Sequence, residues 1–176
     1  MKALRHFPIF FLVICFSSAA SAQSAIDEMV KDWERAKAYT KEYLDAMPAD
    51  KYSLKPTPEM RSFAEQMLHL TEGNYGIAAA AAGIQSPGAQ GSLEKSADKS
   101  KETVTKQVLA GYDYVIDALK KMQVARMGEE IKLFDRFVTT RGQAFAKCFE
   151  HQTHHRGQTT VYIRLAGGTP PQERLF

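Results

Sequence analysis

Four stretches of this chain repeat apolar residues at intervals of three and four, a spacing that fits amphipathic helices and little else. The first runs from Ser24 to Met47 and carries Ile26, Met29, Val30, Trp33, Ala36, Thr40, Tyr43, Leu44 and Met47 on one side. Pro48 stops it, and Lys31, Glu34, Arg35, Lys41 and Glu42 form a solvated face. Pro48 to Pro56 is a connector. Thr57-Pro58-Glu59 then reads as an N-cap, a proline at the first helical position and an acid in the first turn. The helix it opens presents Met60, Phe63, Met67, Leu70 and Ile77 on one side. From Ala78 to Ala97 an alanine run is mixed with Gly83, Pro87, Gly88 and Gly91, which reads as a fraying helix end and a long loop. A third helix, capped by Ser100, carries Val104, Val108, Gly111, Tyr112, Val115, Ala118, Leu119 and Met122. Gln123 to Thr140 is less regular and is interrupted by Gly128, with Leu133, Phe134, Phe137 and Val138 expected over one end of the core. The last helix spans Arg141 to Ala166 and ends at Gly167-Gly168, with Pro170 and Pro171 beyond.

Four such helices with a long second connection and no convincing strands predict an all-α fold, a four-helix bundle. No internal repeat, long heptad run or second domain interrupts it. The first 22 residues stand apart from this pattern. Met1 to Phe7 is short and basic, Pro8 to Phe16 is almost wholly apolar, and Ala20-Ser21-Ala22 is an A-x-A site. The pattern is that of a secretory signal peptide cleaved after Ala22, leaving one domain at 23–176 that is secreted or periplasmic. The apolar run falls short of the roughly 20 residues a membrane span needs, so no stable membrane insertion is expected after cleavage. Removing Lys2 and Arg5 takes the formal charge from +3 to +1. A chain so nearly neutral has no electrostatic footprint for nucleic acid. Cys148 is then the only cysteine, so no intramolecular disulfide forms, and its place among apolar residues marks a buried, inert thiol.

The chemistry concentrates in Glu150-His151-Gln152-Thr153-His154-His155-Arg156-Gly157-Gln158, which holds three of the five histidines. His151 and His155 are four apart and stack on one face of the last helix, where two imidazoles can grip one ion. Phe145, Cys148, Thr159, Ile163 and Ala166 cluster within about 40° of one direction, the core face. His155 lies roughly 40° from it and His151 about 80° on the same flank, whereas His154 points about 140° away, beside Val161 and Leu165. Gln152 stands where a His-Glu-x-x-His protease carries its glutamate, which disfavours that class. A third ligand must come from another helix, and His69 is the only other histidine in 23–176. It sits roughly 120° from the apolar stripe of its helix, which suits a surface or boundary place as well as a ligand. Gly73 and Gly76 share its side and leave room for another element or a ligand. Three neutral imidazoles suit Zn, Ni, Cu or Fe(II), with a coordination position left for water.

His151-Gln152-Thr153-His154-His155-Arg156-Gly157-Gln158, followed by Val161-Tyr162-Ile163-Arg164-Leu165-Ala166-Gly167 and Pro170-Pro171, closely resembles the DinB family, including its YfiT-like metal-dependent hydrolases. The likeness is specific at this end and looser over the rest of 23–176. It implies a four-helix bundle, often a homodimer, that binds a divalent metal through three histidines. Carried over residue by residue, the metal ligands are His69, His151 and His155. Zn or Ni are the first candidates, with Fe or Mn as further ones. Arg156 and Gln158 fall in the family's arginine-glycine-glutamine tract and take a structural role, Gly157 is expected to permit close helix packing, and Tyr162 to pack in the core. The reaction implied is metal-dependent hydrolysis of an unidentified small molecule by water at the three-histidine site. The alternatives are a non-catalytic metal-binding or interaction protein and a thiol-dependent S-transferase, which export into an oxidising compartment disfavours. Glu72 and Glu150 adjoin the ligands and read as solvated carboxylates rather than a general base.

Overall fold

The structure, a computed structural model, describes residues 8–176, with side chains from residue 23 onward. The expected signal peptide, residues 1–22, therefore lies outside the described side chains. Four long helices dominate: α1 (Pro8–Ala46), α2 (Phe63–Ala82), α3 (Lys101–Lys120) and α4 (Arg141–Leu165). A short antiparallel hairpin, β1 (Glu130–Leu133) and β2 (Phe137–Thr140), precedes α4. α2 packs against both α3 and α4, and α1 closes the bundle against the same two helices. Among the described residues no helix is long and apolar enough to cross a membrane.

The expected stripes form the core. Trp33 of α1 is 1% exposed and meets Tyr112 and Phe149 edge-on, with ring centroids 5.6 and 5.4 Å away. Leu44, Met67, Leu70, Val108, Leu119, Phe145 and Ile163 are buried around them. Gly111 brings α3 close to α2: a Cβ there would lie 2.7 Å from Thr71 Cγ2. Cys148 is buried with the core, and burial pushes its thiol pKa far up, as expected of an inert side chain.

Two boundaries differ from the sequence reading. α2 begins at Phe63, not near Thr57, because Ser62-Phe63-Ala64-Glu65 is a capping box. Ser62 Oγ accepts from the Glu65 N–H and the Glu65 carboxylate accepts from the Ser62 N–H. The connector satisfies two further free donors: Phe63 N–H donates to Leu54 O and Ala64 N–H to Tyr52 O. Thr57-Pro58 forms a turn instead, leaving Met60 outside the helix and 38% exposed. At the other end α2 does not fray at Ala78. It runs to Ala82 with Ala78, Ala81 and Ala82 buried, and Gly83 caps it at φ 71°.

The hairpin corrects the expectation of no strands. Its strands are four residues each, too short for alternation to stand out against a helical background. Phe134 and Asp135 take φ 54° in the turn, the hand that matches strand twist. Leu133 is buried in the core and Ile131 packs against it partly buried, whereas Phe134, Phe137 and Val138 are exposed. β2 delivers the chain directly to α4, where Thr140 and Gln143 form a second capping box. The Arg141 guanidinium donates to Ala81 O at the end of α2 and pairs with Glu129 at 2.7 Å. Those contacts set the height of α4 against α2, which decides what faces what at the histidines.

Candidate metal centre

α2 and α4 lie side by side with His69 on one and His151 and His155 on the other. The three rings converge, with centroids 5.4 Å (His69–His151), 4.6 Å (His69–His155) and 4.4 Å (His151–His155) apart. One ring nitrogen from each lies within 4.8 Å of the others, a spacing able to hold a metal ion. The burial order follows the angular reading of α4: His155 is buried, His151 half-buried and His154 exposed, though the His154 ring still meets that of His155 edge-on at 4.9 Å.

Each ring is placed by a different device. His151 packs on bare backbone, because a Cβ at Gly73 would overlap its Cε1 and Nδ1 and lie 3.0 Å from Nε2. Gly76 meets nothing and leaves open space. His155 Nδ1 lies 2.8 Å from the amide of buried Gln66, which also touches the Gln158 side chain. Gln66 Nε2 donates to Gln158 Oε1 as well, so the amide is fixed between α2 and α4 and holds the His155 ring in place. His69 Nδ1 lies 2.6 Å from Glu94 Oε1.

The donor set fits a divalent cation. Burial, reinforced by the charges of neighbouring histidines, pushes the pKa of His151 down to about 4 and that of His155 to about 3. Both rings are therefore neutral at physiological pH, the form a metal takes. His151 Nδ1 is moreover buried with no hydrogen-bond partner. A buried polar atom left so costs about 1–3 kcal/mol, and an ion beside the ring offers a compensation that no protein group supplies.

The centre opens to one side. A cavity of about 680 Å³ is lined by His69, His151, Gly73, Gly76, Tyr75, Phe134 and the loop from Ser86 to Glu94. Strained Phe134 stands at its rim. Glu72 is not the solvated carboxylate expected: it accepts from the backbone N–H groups of Gly91, Leu93 and Glu94 at 2.9, 2.6 and 3.3 Å. Glu150 is solvated as expected, exposed and paired with Lys147.

The family model described as "DinB family" matches residues 20–174. The chain belongs to the DinB family. Its fold is similar to a DinB-like protein from Bacillus cereus ATCC 10987, with a TM-score of 0.73 at 19% identity, covering 84% of this chain and 97% of that one. A DinB-like protein from Bacillus subtilis gives a TM-score of 0.65 at 19% identity, with 85% and 96% covered. No curated protein matches.

The rest of the DinB tract takes structural places. Arg156 is buried and donates from Nη1 to Gln152 Oε1 at 3.2 Å, with its guanidinium 4.5 Å from the Tyr39 ring centroid. Gln152 Oε1 also accepts from Tyr112 OH, which joins Thr40 of α1. Tyr162 is buried and donates to Arg61 O. Gly157 corrects its expectation: a Cβ there would meet nothing within 4 Å, so it is not a packing contact. The sequence reading missed Gln66, Arg61 and Glu94. Gln66 left a signal, a polar residue one turn before His69 on a buried face; Glu94, in a loop, left none.

Proposed function

We propose that this DinB chain binds one divalent metal ion through His69, His151 and His155 and works as a metal-dependent hydrolase on a small molecule held in the adjoining cavity. The observation that carries the proposal is the convergence of three imidazoles, two of them held neutral, with His69 and His151 lining that cavity. A divalent ion with three imidazole ligands supplies Lewis acidity and activates water near neutral pH. The donor set suits Zn or Ni, with Fe and Mn behind them.

The chain's own groups divide the remaining work. Gly76 keeps the floor open, the space over Gly73 being filled by the His151 ring, while Tyr75, Ile77 and Phe134 offer apolar surface to the body of a substrate. Arg61 lines the same cavity, and its charge is already matched by Glu94 at 2.7 Å. One observation favours a non-catalytic metal-binding protein as the second reading. Both nearby carboxylates are committed, Glu72 to loop backbone and Glu94 to His69 and Arg61, so neither stands free as a general base.

Metal content by elemental mass spectrometry, on the protein beside His69→Ala and His155→Ala, tests the centre. About one ion per chain, lost in both variants, is expected; an ion retained by both refutes the assignment. An ester, amide and phosphoester panel with and without chelator then separates the readings. Activity that survives complete removal of metal rejects the hydrolase, and metal without any turnover favours the binder.

A further inference from the structure

The connection between α2 and α3, residues 83–100, carries Pro87, Gly88 and Gly91 and no regular structure, yet it bears the carboxylate nearest the three histidines. We infer that this loop is an outer shell of the metal centre: Glu72 fastens it to α2, and Glu94 upon it is a positioning residue that orients His69 toward the ion. The inference rests on the reading that the three histidines hold an ion.

Glu94, not the ion, is the natural partner of His69 Nδ1. A carboxylate only accepts, so at 2.6 Å from Glu94 Oε1 the Nδ1 carries the hydrogen and Nε2 keeps its lone pair for a metal. The other carboxylate oxygen is held by Arg61 Nε at 2.7 Å, which stops the carboxylate from rotating away. His69 needs such a guide more than its fellow ligands. It is 28% exposed, whereas His155 is buried against Gln66 and His151 is wedged against Gly73.

The same geometry disposes of a rival arrangement. His69, Glu72 and Glu94 also bring ligand atoms within 4.8 Å of one another. Both Glu72 oxygens already accept backbone N–H groups, however, Oε2 from Gly91 and Oε1 from Leu93 and Glu94. Ligation there would strip the loop of its anchor. Glu72 is one helical turn beyond His69, so α2 carries the ligand and the loop's anchor on adjacent turns. Ordering a loop of this kind costs conformational entropy, and the Glu94–His69 bond joins that cost to the state of His69. By linkage, metal binding and loop order then support each other. Since residues 86–94 wall the cavity, the ion helps to set the shape of the chamber it serves.

The test uses the full chain and Zn²⁺ alone, and needs no activity. Zn²⁺ affinity is measured by competition with a chromophoric chelator for wild type, Glu94→Ala and Glu94→Gln, and amide exchange of residues 86–94 is followed with and without Zn²⁺. Loss of this partner should weaken binding about 10–100-fold in Glu94→Ala. Glu94→Gln, which keeps an acceptor oxygen, should recover most of that loss. Zn²⁺ should slow exchange across 86–94 in wild type and much less in Glu94→Ala. A Glu94→Ala chain that binds Zn²⁺ as wild type does, even with a lowered Tm, overturns the inference by showing a merely structural contact. Wild type that binds no Zn²⁺ fails the metal centre itself, an outcome distinct from the first.

Discussion

Replacing Gly73 by alanine adds one methyl group in the middle of α2 and aims it at the His151 ring. The new Cβ overlaps Cε1 and Nδ1 and stands 3.0 Å from Nε2, so the ring must retreat by roughly 1.5–2 Å to reach ordinary contact at roughly 3.5–4.0 Å. Helix propensity works the other way, since alanine in a helix interior is worth about 1 kcal/mol over glycine. Overpacking costs about 1–3 kcal/mol, so the net loss of stability without metal should be at most about 2 kcal/mol. Metal binding has no such offset. Structural zinc in four-ligand peptides is worth about 10–16 kcal/mol, so one ligand carries roughly 3–4 and its displacement costs on the order of 10²–10³-fold in affinity. Gly76→Ala is the control: nothing lies within 4 Å of its Cβ, so it should raise Tm slightly and bind metal as wild type. Chelator competition and thermal melts on both variants supply the numbers. Gly73→Ala with wild-type affinity, or an equal loss in Gly76→Ala, would show that His151 is not placed by the bare backbone of α2.

Three further outcomes follow from the packing and capping. Ser62→Ala should cost about 1 kcal/mol by chemical denaturation and Thr57→Ala next to nothing, since Ser62 caps α2; the reverse order would return the helix start to Thr57. Gly111→Ala, whose Cβ falls 2.7 Å from Thr71 Cγ2, should lower Tm despite its better helix propensity, whereas a raised Tm would show that α2 and α3 spread at little cost. Hydrogen bonds from Lys99, then from the Ser62 N–H, hold the Glu65 pKa down to about 2 against an ordinary 4.5. A carboxylate depressed in the folded state stabilises fully above its unfolded pKa, and that contribution is lost as pH falls from 4.5 through about 2. The Tm advantage of wild type over Glu65→Gln should therefore shrink across that window, and an advantage independent of pH would remove the ionised carboxylate from the cap.

The bundle was legible because its signals are local. Trp33, Tyr43, Met67, Val108, Phe145 and Ile163 fall at helical intervals, and each is buried where its stripe placed it. Ser100 was readable as a cap for the same reason, since the residue and the N–H of Thr103 it bonds lie three positions apart. The start of α2 went astray through competition between two local signals. Thr57-Pro58-Glu59 has the composition of a helix start, but the donors of Phe63 and Ala64 are satisfied by Leu54 and Tyr52, carbonyls that only a folded connector can supply. The hairpin was lost to brevity: of its eight strand residues only Leu133 is buried, too few to print a period of two.

The candidate metal centre divides along the same line. Two of its histidines were readable as a pair because α4 fixes their relation by its own geometry, and the angular argument sends His154 outward, where it is found. His69 could not be placed by periodicity, because its role depends on where α4 lies beside α2. That registration is made by Arg141 on Ala81 O, far from the site, and by Gly73 within it, whose bare backbone lets the His151 ring close on α2. Glu94 is one step further removed. It reaches His69 only because Glu72 gathers the backbone of a loop twenty residues on, and no spacing rule connects a loop carboxylate to a helix through main-chain N–H groups. The His151–His155 pair can thus be read from a helix pattern, while the third candidate ligand, His69, and the residue that aims it are set by tertiary contacts. A substitution such as Glu72→Gln, conservative by composition and two hydrogen bonds away from His69, therefore bears on the candidate site through loop order and not through ligation.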